Sequence, residues 1–364
     1  MRTDSSGYTS FVPHRSPDAP AGRTIGYYVH HHGTGHRSRF AKILVHADSH
    51  LVPLSELEVP GGVRLVSDVP SGPVDPTAAG SLHWAPVGSA ASARRTKQIV
   101  DWIVAARPIG AVVDVSVEAA LQFRLAGVPT VVVRQHGERT DSAHVLAYRS
   151  AARLLAPYPI ELEHPDTPQW ILDKTTHCGF IMESGTQPRP VDHRIDLGKP
   201  QRDDVVVLWG SGGGQLSNAD LECLAQVVRP GRLWLAGHIT GAPTTEHDNV
   251  VRLGFVDDVQ SLLTARPTVV ASAGNNTVAD VALSGSPLVV VPLDRPFDEQ
   301  LRHAQSLDSA GVAAIADASA GSIDWSGAIA TARQRAPALA RLARSDGACR
   351  AAELIDAAFD AATS

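Results

Sequence analysis

Apolar and polar positions occur in alternating blocks along the chain, and from residue 24 onward the blocks predict strands and helices in turn. Short apolar runs such as TIGYYVH at 24–30 and IGAVVDV at 109–115 are typical of strands, and the mixed stretches between such runs are typical of helices. The run DVVVLWG at 204–210 is apolar at nearly every position, which indicates a central parallel strand covered on both faces. This alternation predicts βαβ units and parallel sheets.

A polar, proline-containing stretch at 184–202 divides the chain into two such series. Residues 1–23 are rich in Ser, Pro and Gly and lack the apolar segment of a secretory signal, so they predict a disordered tail. We therefore predict one Rossmann-like domain at 24–190 and another at 203–335, which face each other across a cleft. Ala-rich helices at 336–364 follow, and spacing alone leaves open whether they return to the first domain.

Composition excludes several classes of protein. Of 364 residues, 43% are hydrophobic and 19% charged, which is normal for a packed globular chain. A net charge of −6 excludes a basic surface for nucleic acid, so no nucleic-acid partner is predicted. No apolar run reaches the roughly 20 residues that span a bilayer. Three scattered cysteines are typical of a reducing compartment, so we expect a cytoplasmic protein.

A histidine-rich loop follows the first predicted strand and precedes a helix. His32 and His36 flank Gly33, Thr34 and Gly35, and the glycines permit tight turns and close approach of a ligand. Because imidazole titrates near neutral pH, His36, and after it His32, is a candidate general base. The alternative is a polar turn whose histidines cap a helix or bridge to the other domain. No H-x-x-x-H or C-x-x-C partner follows, so no metal site is predicted.

A second loop, WGSGGGQ at 209–215, again joins a strand to a helix. Successive glycine N–H groups at a helix start form a nest for anions, and a diphosphate is the commonest guest. The loop lacks the Lys-Ser/Thr pair of an ATP-hydrolysing loop, which disfavours that chemistry. A merely flexible turn is the alternative. The candidate binding residues of this loop are Gly210, Ser211, Gly212 and Gly213.

A third group of candidates follows three further predicted strands. Thr277 and Asp280 lie three residues apart on one helical face, where a hydroxyl can bind phosphate and a carboxylate can accept from ribose hydroxyls. The residues after the next strand would reach the sugar. The complete set of donor-side candidates is Phe255, Val256, Ser272, Gly274, Asn275, Asn276, Thr277, Asp280, Asp298, Glu299 and Gln300.

These segments resemble the donor half of MurG-type glycosyltransferases, which have the GT-B fold and belong to the family 28 type. The spacing from Phe255 to Gln300 matches that family without a gap, and the loop at 205–214 matches its first donor-domain loop. His32-Gly33-Thr34-Gly35-His36 is similar to the family's Gly-Gly-Thr-Gly-Gly-His loop, one residue shorter. Arg134, Gln135 and His136 stand in a segment that the family uses on the acceptor side.

The resemblance implies roles for individual residues. Asp280 stands where a glutamate grips ribose, and Val256 stands where backbone groups hold uracil. Thr277 and Ser211 occupy phosphate-contacting positions. Glu299 and Gln300 replace a Gln-Gln pair that contacts the donor sugar, and His36 stands at the histidine proposed to assist acceptor activation.

The sequence departs from the family in three places. Residues 178–182 (CGFIM) replace an Asn-Pro-Val-Arg segment that contributes an arginine near the diphosphate, and Glu299 replaces a glutamine, which leaves the donor sugar undefined. The acceptor segment differs enough that the family's peptidoglycan lipid acceptor cannot be assumed.

Several acceptor-side candidates have two interpretations. Asp114 could act as a base or cap a helix, and Arg134 could balance a diphosphate or pair structurally. Arg94, Arg95 and Lys97 could bind anionic headgroups, although a solvated helix face is the default for such a cluster.

The resulting hypothesis is an inverting, metal-independent transferase that moves a hexosyl or N-acetylhexosaminyl group in cell-envelope or glycan biosynthesis. Its donor would be a UDP-sugar, its acceptor a glycan, a lipid-linked or a small molecule, and no cofactor is required. Peripheral contact with the inner face of the membrane is compatible with a lipid-linked acceptor. The alternatives are a UDP-sugar hydrolase, an epimerase of the same fold, or a non-catalytic sensor of nucleotide sugars.

Overall fold

The computed structural model describes residues 23–31, 35–69, 72–182, 198–210, 214–256, 258–316, 322–344 and 346–360. The predicted tail up to residue 22 and most of the predicted linker, up to residue 197, lie outside these ranges. The chain divides into two compact units. Unit 1 comprises the described parts of Met1–Val133, Ser142–Leu155 and Cys349–Ser364, and unit 2 those of Arg134–Asp141 and Ala156–Ala348.

The N-terminal half forms a seven-stranded sheet in the order β3-β2-β1-β4-β5-β6-β7, whose pairs from β3 to β6 are parallel. The strands are β1 Thr24–Val29, β2 His50–Ser55, β3 Val63–Arg64, β4 Gly110–Asp114, β5 Thr130–Val133, β6 Arg153–Ala156 and β7 Thr175–His177. The helices are α1 Gly35–Leu44, α2 Ala90–Ala106, α3 Val117–Leu125, α4 Ser142–Ser150 and α5 Gln169–Leu172, with a 3₁₀ turn at Ile160–Leu162.

The C-terminal half forms a six-stranded parallel sheet in the order β10-β9-β8-β11-β12-β13. Its strands are β8 Val205–Trp209, β9 Leu233–Gly237, β10 Val250–Gly254, β11 Thr268–Ala271, β12 Leu288–Val290 and β13 Ala314–Ile315. Its helices are α6 Asn218–Val227, α7 Val259–Leu262, α8 Asn275–Ser284, α9 Glu299–Ser309, α10 Trp325–Leu342 and α11 Gly347–Ala358, with a 3₁₀ turn at Pro296–Asp298.

Both sheets have the doubly wound order of a Rossmann fold, so the predicted α/β class is confirmed. The order reverses at β1 in the first sheet and at β8 in the second, and ligands of such sheets bind beyond the carboxyl ends of the strands at this point. The prediction for DVVVLWG is confirmed as well. Val206 packs into the core on one face of the sheet, whereas Val205 and Val207 pack into the core on the other face.

Side-chain caps define where several helices begin. Ser89 precedes α2 and accepts from the backbone N–H of Ser92 at 3.1 Å, and Ser116 accepts from that of Ala119 at the same distance before α3. Ser217 and Asp220 form a reciprocal capping box at the start of α6. These hydrogen bonds are local, which explains why most helix positions could be predicted from the sequence alone.

The division into units differs from the expected boundary at residue 190. Residues 134–141 and 156–182 group with the C-terminal half, because their side chains and backbone bond to its helices: Asn275 Nδ2, for example, donates to the carbonyl of Pro157 at 3.0 Å. Most of α11 groups with unit 1 instead. Asp356 accepts there from the backbone N–H groups of Asp48 and Ser49 at 3.0 and 3.1 Å.

The apolar run GVRLVS at 62–67 predicts a longer strand than the two residues of β3, and the sequence predicts no strand at β13. Both are two-residue edge strands, for which the sequence contains too few positions to show a period. No helix among the described residues is long and apolar enough to cross a membrane.

Candidate active site

In unit 1, three charged or titratable side chains meet where the strand order reverses. His36 is in the first turn of α1, and Asp114 is the last residue of β4, which pairs directly with β1. His36 Nδ1 lies 3.0 Å from Asp114 Oδ1. Arg39, one turn after His36, donates from Nη1 to both oxygens of Asp114, at 2.6 and 2.8 Å. The three side chains form a compact ionic group that we call the His36 cluster.

Burial and charge together define the state of Asp114. Its side chain is fully buried, and the Arg39 side chain is 4% exposed. Burial alone would raise the pKa of Asp114, but the Arg39 guanidinium and then His36 hold it below its ordinary value, so the carboxyl remains ionised. His36 is 14% exposed and is thus the member of the cluster that a ligand can reach.

Neither of the two interpretations offered for Asp114 describes its place in the structure. Ser116, not Asp114, caps α3, and both carboxylate oxygens of Asp114 bond to Arg39 and are inaccessible to an acceptor. The carboxylate therefore bonds to Arg39 through both oxygens and lies beside His36 Nδ1, at 3.0 Å. Val115, between Asp114 and Ser116, has a φ of +62°, which is rare for a β-branched residue and marks a strained turn of the kind found at functional sites.

Further imidazoles surround the His36 cluster. The rings of His30 and His36 lie 5.6 Å apart, and His30 stacks on His31 at 4.7 Å. His31 Nδ1 lies 3.2 Å from the carboxylate of Glu56. Gly35 begins α1. The candidates His32, Gly33 and Thr34 lie outside the described residues.

In unit 2, the turn between β11 and α8 brings together the predicted hydroxyl groups. Gly274 precedes α8 without a side-chain cap. A Cβ added to Gly274 would lie 3.8 Å from both Ser272 Oγ and Thr277 Oγ1, so these hydroxyls flank the first N–H groups of the helix. Asn276 and Asp280 are half-buried on the same helix. A helix start with free N–H groups and adjacent hydroxyls suits an anion.

The other predicted phosphate loop is described in part. Gly210 follows β8 and is exposed, and Gly214 has a φ of +65° and accepts from Trp209 Nε1 at 3.0 Å. This bond closes the loop on its own strand. The candidates Ser211, Gly212 and Gly213 lie outside the described residues.

The donor-side candidates Phe255 and Val256, of which Val256 stands at the expected uracil position, differ in environment. Phe255 is 63% exposed, and its ring lies 6.0 Å from that of His238. Val256 packs against the core of unit 2. An exposed aromatic ring beside a backbone held by packing is a suitable surface for a base.

The expected sugar-binding residues 298–300 have three different environments. Asp298 is exposed in the left-handed conformation, at a φ of +51°. Glu299 pairs with Arg139, whose Nη2 donates at 2.8 Å. Gln300 is buried and accepts from the backbone N–H of Leu293 at 3.0 Å. Glu299 and Gln300 thus both bond to other residues of unit 2 where contact with a sugar was expected.

The segment Arg134-Gln135-His136, expected on the acceptor side, is part of unit 2 and packs on the donor-side residues. With the amide nitrogen of Gln135 facing Glu299, it donates to both carboxylate oxygens at 3.1 Å. His136 stacks between Tyr158 and His303, with 3.8 Å between ring centroids on either side. His303 Nδ1 lies 2.8 Å from the carbonyl of Ala273, next to the anion-binding turn. This stacked packing explains why the segment lies in unit 2 and not on the acceptor side, and spacing along the chain does not reveal such packing.

Both stacked imidazoles are neutral. Burial lowers the pKa of His303 to about 4 and the pKa of His136 well below its ordinary value, and His303, Arg134 and Arg139 lower the latter further. Their Nε2 atoms have no hydrogen-bond partner within the described part of the chain.

A buried carboxylate near this stack was missed by sequence reasoning. Glu163 pairs with Arg134 and lies 2.8 Å from His177 Nε2, and Thr167 donates to it at 2.6 Å. Burial opposes ionisation, yet these hydrogen bonds hold the pKa of Glu163 far below its usual range. Arg134 therefore pairs structurally, the second of its two interpretations. Arg39 was missed too, although its spacing of three residues from His36 placed both on one helical face.

Comparison with known proteins agrees with this architecture. Residues 226–325 match the model of the glycosyltransferase family 28 C-terminal domain. A UDP-N-acetylglucosamine–N-acetylmuramyl-(pentapeptide) pyrophosphoryl-undecaprenol N-acetylglucosamine transferase from Cutibacterium acnes is 28% identical over 270 residues, which cover 68% of this chain and 69% of that protein.

Solved structures share the fold at lower sequence identity. MurG of Acinetobacter baumannii superposes with a TM-score of 0.59 at 15% identity, over 92% of this chain and 99% of that one. The spinosyn rhamnosyltransferase SpnG complexed with thymidine diphosphate superposes with a TM-score of 0.63 at 18% identity, also over 92% and 99%. Residues 226–325 thus match a family 28 C-terminal domain, the chain has a GT-B fold, and it is a glycosyltransferase similar to MurG.

Proposed function

We propose that this protein transfers a sugar from a UDP-sugar to an acceptor hydroxyl, with inversion at the anomeric carbon and without a metal ion. The observation that supports this most directly is the 3.0 Å approach of His36 Nδ1 to the buried Asp114, at the point where the strand order of the sheet reverses. Ligands of such sheets bind there, and the reaction needs a base there.

His36 acts as the general base. With Nδ1 directed at the ionised Asp114, Nε2 is the atom that accepts the acceptor's proton, and the carboxylate stabilises the imidazolium that forms. Arg39 keeps Asp114 in place and ionised through two hydrogen bonds. Asp114 and Arg39 are therefore positioning residues.

Unit 2 binds the donor. The diphosphate lies at the start of α8, where the helix N–H groups and the hydroxyls of Ser272 and Thr277 donate hydrogen bonds. Asp280, one turn further, accepts from the ribose hydroxyls, and the backbone at Phe255 and Val256 holds the base. UDP is favoured as the nucleotide because the similar transferase from Cutibacterium acnes is named for a UDP-sugar.

The reaction is a single displacement. The acceptor oxygen forms a bond to the anomeric carbon as the bond from that carbon to the diphosphate oxygen breaks. The proton moves to His36 Nε2, and UDP leaves with the electron pair. Attack opposite the leaving group inverts the configuration, through a transition state with oxocarbenium character. Helix N–H groups and hydroxyls offset the charge of the leaving diphosphate, a role that needs no cation.

The test is the release of UDP from UDP-sugars and of dTDP from dTDP-sugars, with and without an extract of lipids and glycans. Release that depends on the extract is expected. Release without an acceptor would instead indicate a hydrolase, and tight binding without release would indicate a sensor. NMR of the product should show the opposite anomer to the donor, and activity should persist in EDTA. Retention of configuration, or loss of activity in EDTA, would contradict the mechanism.

A further inference from the structure

Unit 1 contains a large cavity that the catalytic cluster does not account for. Its volume is about 1110 Å³, and its walls come from β1, the loop between β3 and α2, and helices α2 and α3. Most of the lining surface is apolar, with contributions from Val69, Leu82, Trp84, Leu121 and Leu125. Small-molecule sites range from roughly 300 to 1,000 Å³, so this cavity accommodates a compound with several rings.

The polar part of the cavity is centred on Arg95, which is 5% exposed rather than part of a solvated helix face. Its Nη1 donates to Glu56 and, at 2.9 Å, to the carbonyl of Val66, and its Nη2 donates to the hydroxyl of Tyr28. Asp68 lies 3.6 Å from its Nε. Burial raises the pKa of the Tyr28 phenol, which therefore stays protonated. The guanidinium charge is thus offset by two carboxylates of unit 1 itself.

A further carboxylate lines the same space. Glu118 accepts from the backbone N–H groups of His83 and Trp84, at 2.7 and 3.1 Å. These bonds attach the loop that forms one wall to the start of α3. Asp68 and Glu118 both line the cavity, and Arg95 is the one Lys or Arg among the lining residues. An incoming phosphate or diphosphate would meet two carboxylates and a guanidinium that is already paired.

The cavity also adjoins the proposed base. His30 and His31 contribute to its lining, and the His30 ring lies 5.6 Å from that of His36. A ligand whose apolar body fills the cavity can therefore place a hydroxyl near His36 without any anionic group entering the site.

We propose that this cavity is the acceptor subsite and that it takes a compact, mainly apolar alcohol or phenol, neutral or cationic, and excludes acceptors that contain a diphosphate. This inference rests on the proposed function and adds the substrate class. The step itself is unchanged: the acceptor O–H gives its proton to His36 and its oxygen to the anomeric carbon, and UDP leaves.

The first experiment measures binding without any donor. Farnesol and farnesyl diphosphate form a matched pair of probes that differ only in the diphosphate, and 4-methylumbelliferone is a rigid phenol. Farnesol should bind at least 10-fold more tightly than farnesyl diphosphate. Asp68→Asn should narrow that ratio, because it removes one of the carboxylates that repel the diphosphate. Equal or tighter binding of farnesyl diphosphate by the wild type would overturn the inference.

A matched pair of variants locates the site. Ala93 is an exposed residue of α2 that lines the cavity, whereas Ala105 is an exposed residue of the same helix that does not. Ala93→Trp should weaken 4-methylumbelliferone binding at least 10-fold, and Ala105→Trp should leave it unchanged. UDP affinity should be the same in both variants. Equal phenol binding by the two variants would place the probe elsewhere and overturn the assignment.

Turnover separates this inference from the proposed function. If a library of hydroxylated polycyclic compounds yields glycosides, Ala93→Trp should raise the acceptor KM at least 10-fold with little change in the donor KM. Transfer with an unchanged acceptor KM would overturn the subsite and leave the transferase function standing. The wild type could instead bind the probe, lose that binding in Ala93→Trp, and transfer no sugar from any donor. This result would overturn the transferase function and with it the role of the cavity as an acceptor site.

Discussion

The six strands from β3 to β6 in the first sheet have the same order as the six strands of the second, but the residues at the two points of reversal are of opposite character. In unit 1 the carboxyl ends of β1 and β4 lead to ionisable side chains: the buried pair of Asp114 and Arg39, and the partly exposed His36 beside them. In unit 2 the corresponding strands β8 and β11 lead to glycines, hydroxyls and the first N–H groups of α8 beside Gly274. The difference shows how one backbone arrangement serves two tasks. Proton transfer requires oriented side chains, whereas holding an anion requires close access to the backbone.

Removing the base from unit 1 should have the largest effect on rate. His36→Ala is expected to lower kcat by about 10²–10⁴-fold, because a general base typically contributes that much, and to leave the Kd for UDP unchanged. Steady-state kinetics and calorimetric titration with UDP measure the two quantities. His46→Ala, an exposed histidine just after the same helix, is the control and should behave as wild type. Full activity in His36→Ala would contradict the proposed role of unit 1 in proton transfer.

Neutralising Asp114 should show whether this residue acts on the stability of the protein, on the positioning of His36, or on both. Asp114→Asn removes the carboxylate charge that pairs with the buried Arg39 guanidinium, so the free energy of unfolding should fall by roughly 3 kcal/mol, measured by urea denaturation. The double variant Arg39→Met/Asp114→Leu removes both charges and should recover most of that stability while kcat stays low. If activity returned together with stability, Asp114 would have only a structural role.

In unit 2, removing the carboxylate of Asp280 should weaken donor binding and leave the chemical step almost unchanged. Asp280→Ala should raise the donor KM by about 10–100-fold, the value of one or two hydrogen bonds to a charged group, with a much smaller change in kcat. Leu283→Ala, an exposed position near the far end of the same helix, is the control. A fall in kcat at unchanged KM would mean that unit 2 also participates in the chemistry.

Lowering the pH should destabilise the two units over different pH ranges, and this effect is smaller than those of the substitutions above. His136 and His303 are buried and neutral, so the unfolded chain binds more protons than the folded one below the ordinary histidine pKa of about 6.5. Stability of unit 2 is therefore complete above that pH and is lost as pH falls toward about 4, by up to about 1.4 kcal/mol per pH unit for each histidine. Asp114, whose pKa is depressed, loses its contribution only at lower pH.

Unfolding by urea at pH 7 and pH 5 tests this difference. His303→Gln should flatten the pH dependence, and His238→Gln, which replaces an exposed histidine of the same unit, should not. A stability that does not change between pH 7 and pH 5 would show that the stacked imidazoles are not neutral in the folded state.

Sequence patterns were sufficient where the determining interactions are local. The βα alternation, the central strand at 204–210 and the turn from Ser272 to Thr277 were all predicted, because strand periods, caps and glycine turns depend on neighbouring residues. Arg95 shows the limit of such reasoning. Its neighbours on α2 suggest a solvated face, but its partners Glu56 and Tyr28 are 39 and 67 residues away in the chain.

The sequence by itself determined the doubly wound architecture, the glycine-rich turns after the strands and the candidacy of His36. Only the tertiary structure decided which groups meet there. It joined Asp114 to Arg39, which lies 75 positions earlier in the chain, and brought His36 beside them. It also assigned Arg134 to Glu163 and placed Gln135 and His136 with the donor-side residues. The physical reason is that hydrophobic periodicity and capping act between near neighbours, whereas charge pairing and ring stacking depend on distances that exist only once the sheets have formed.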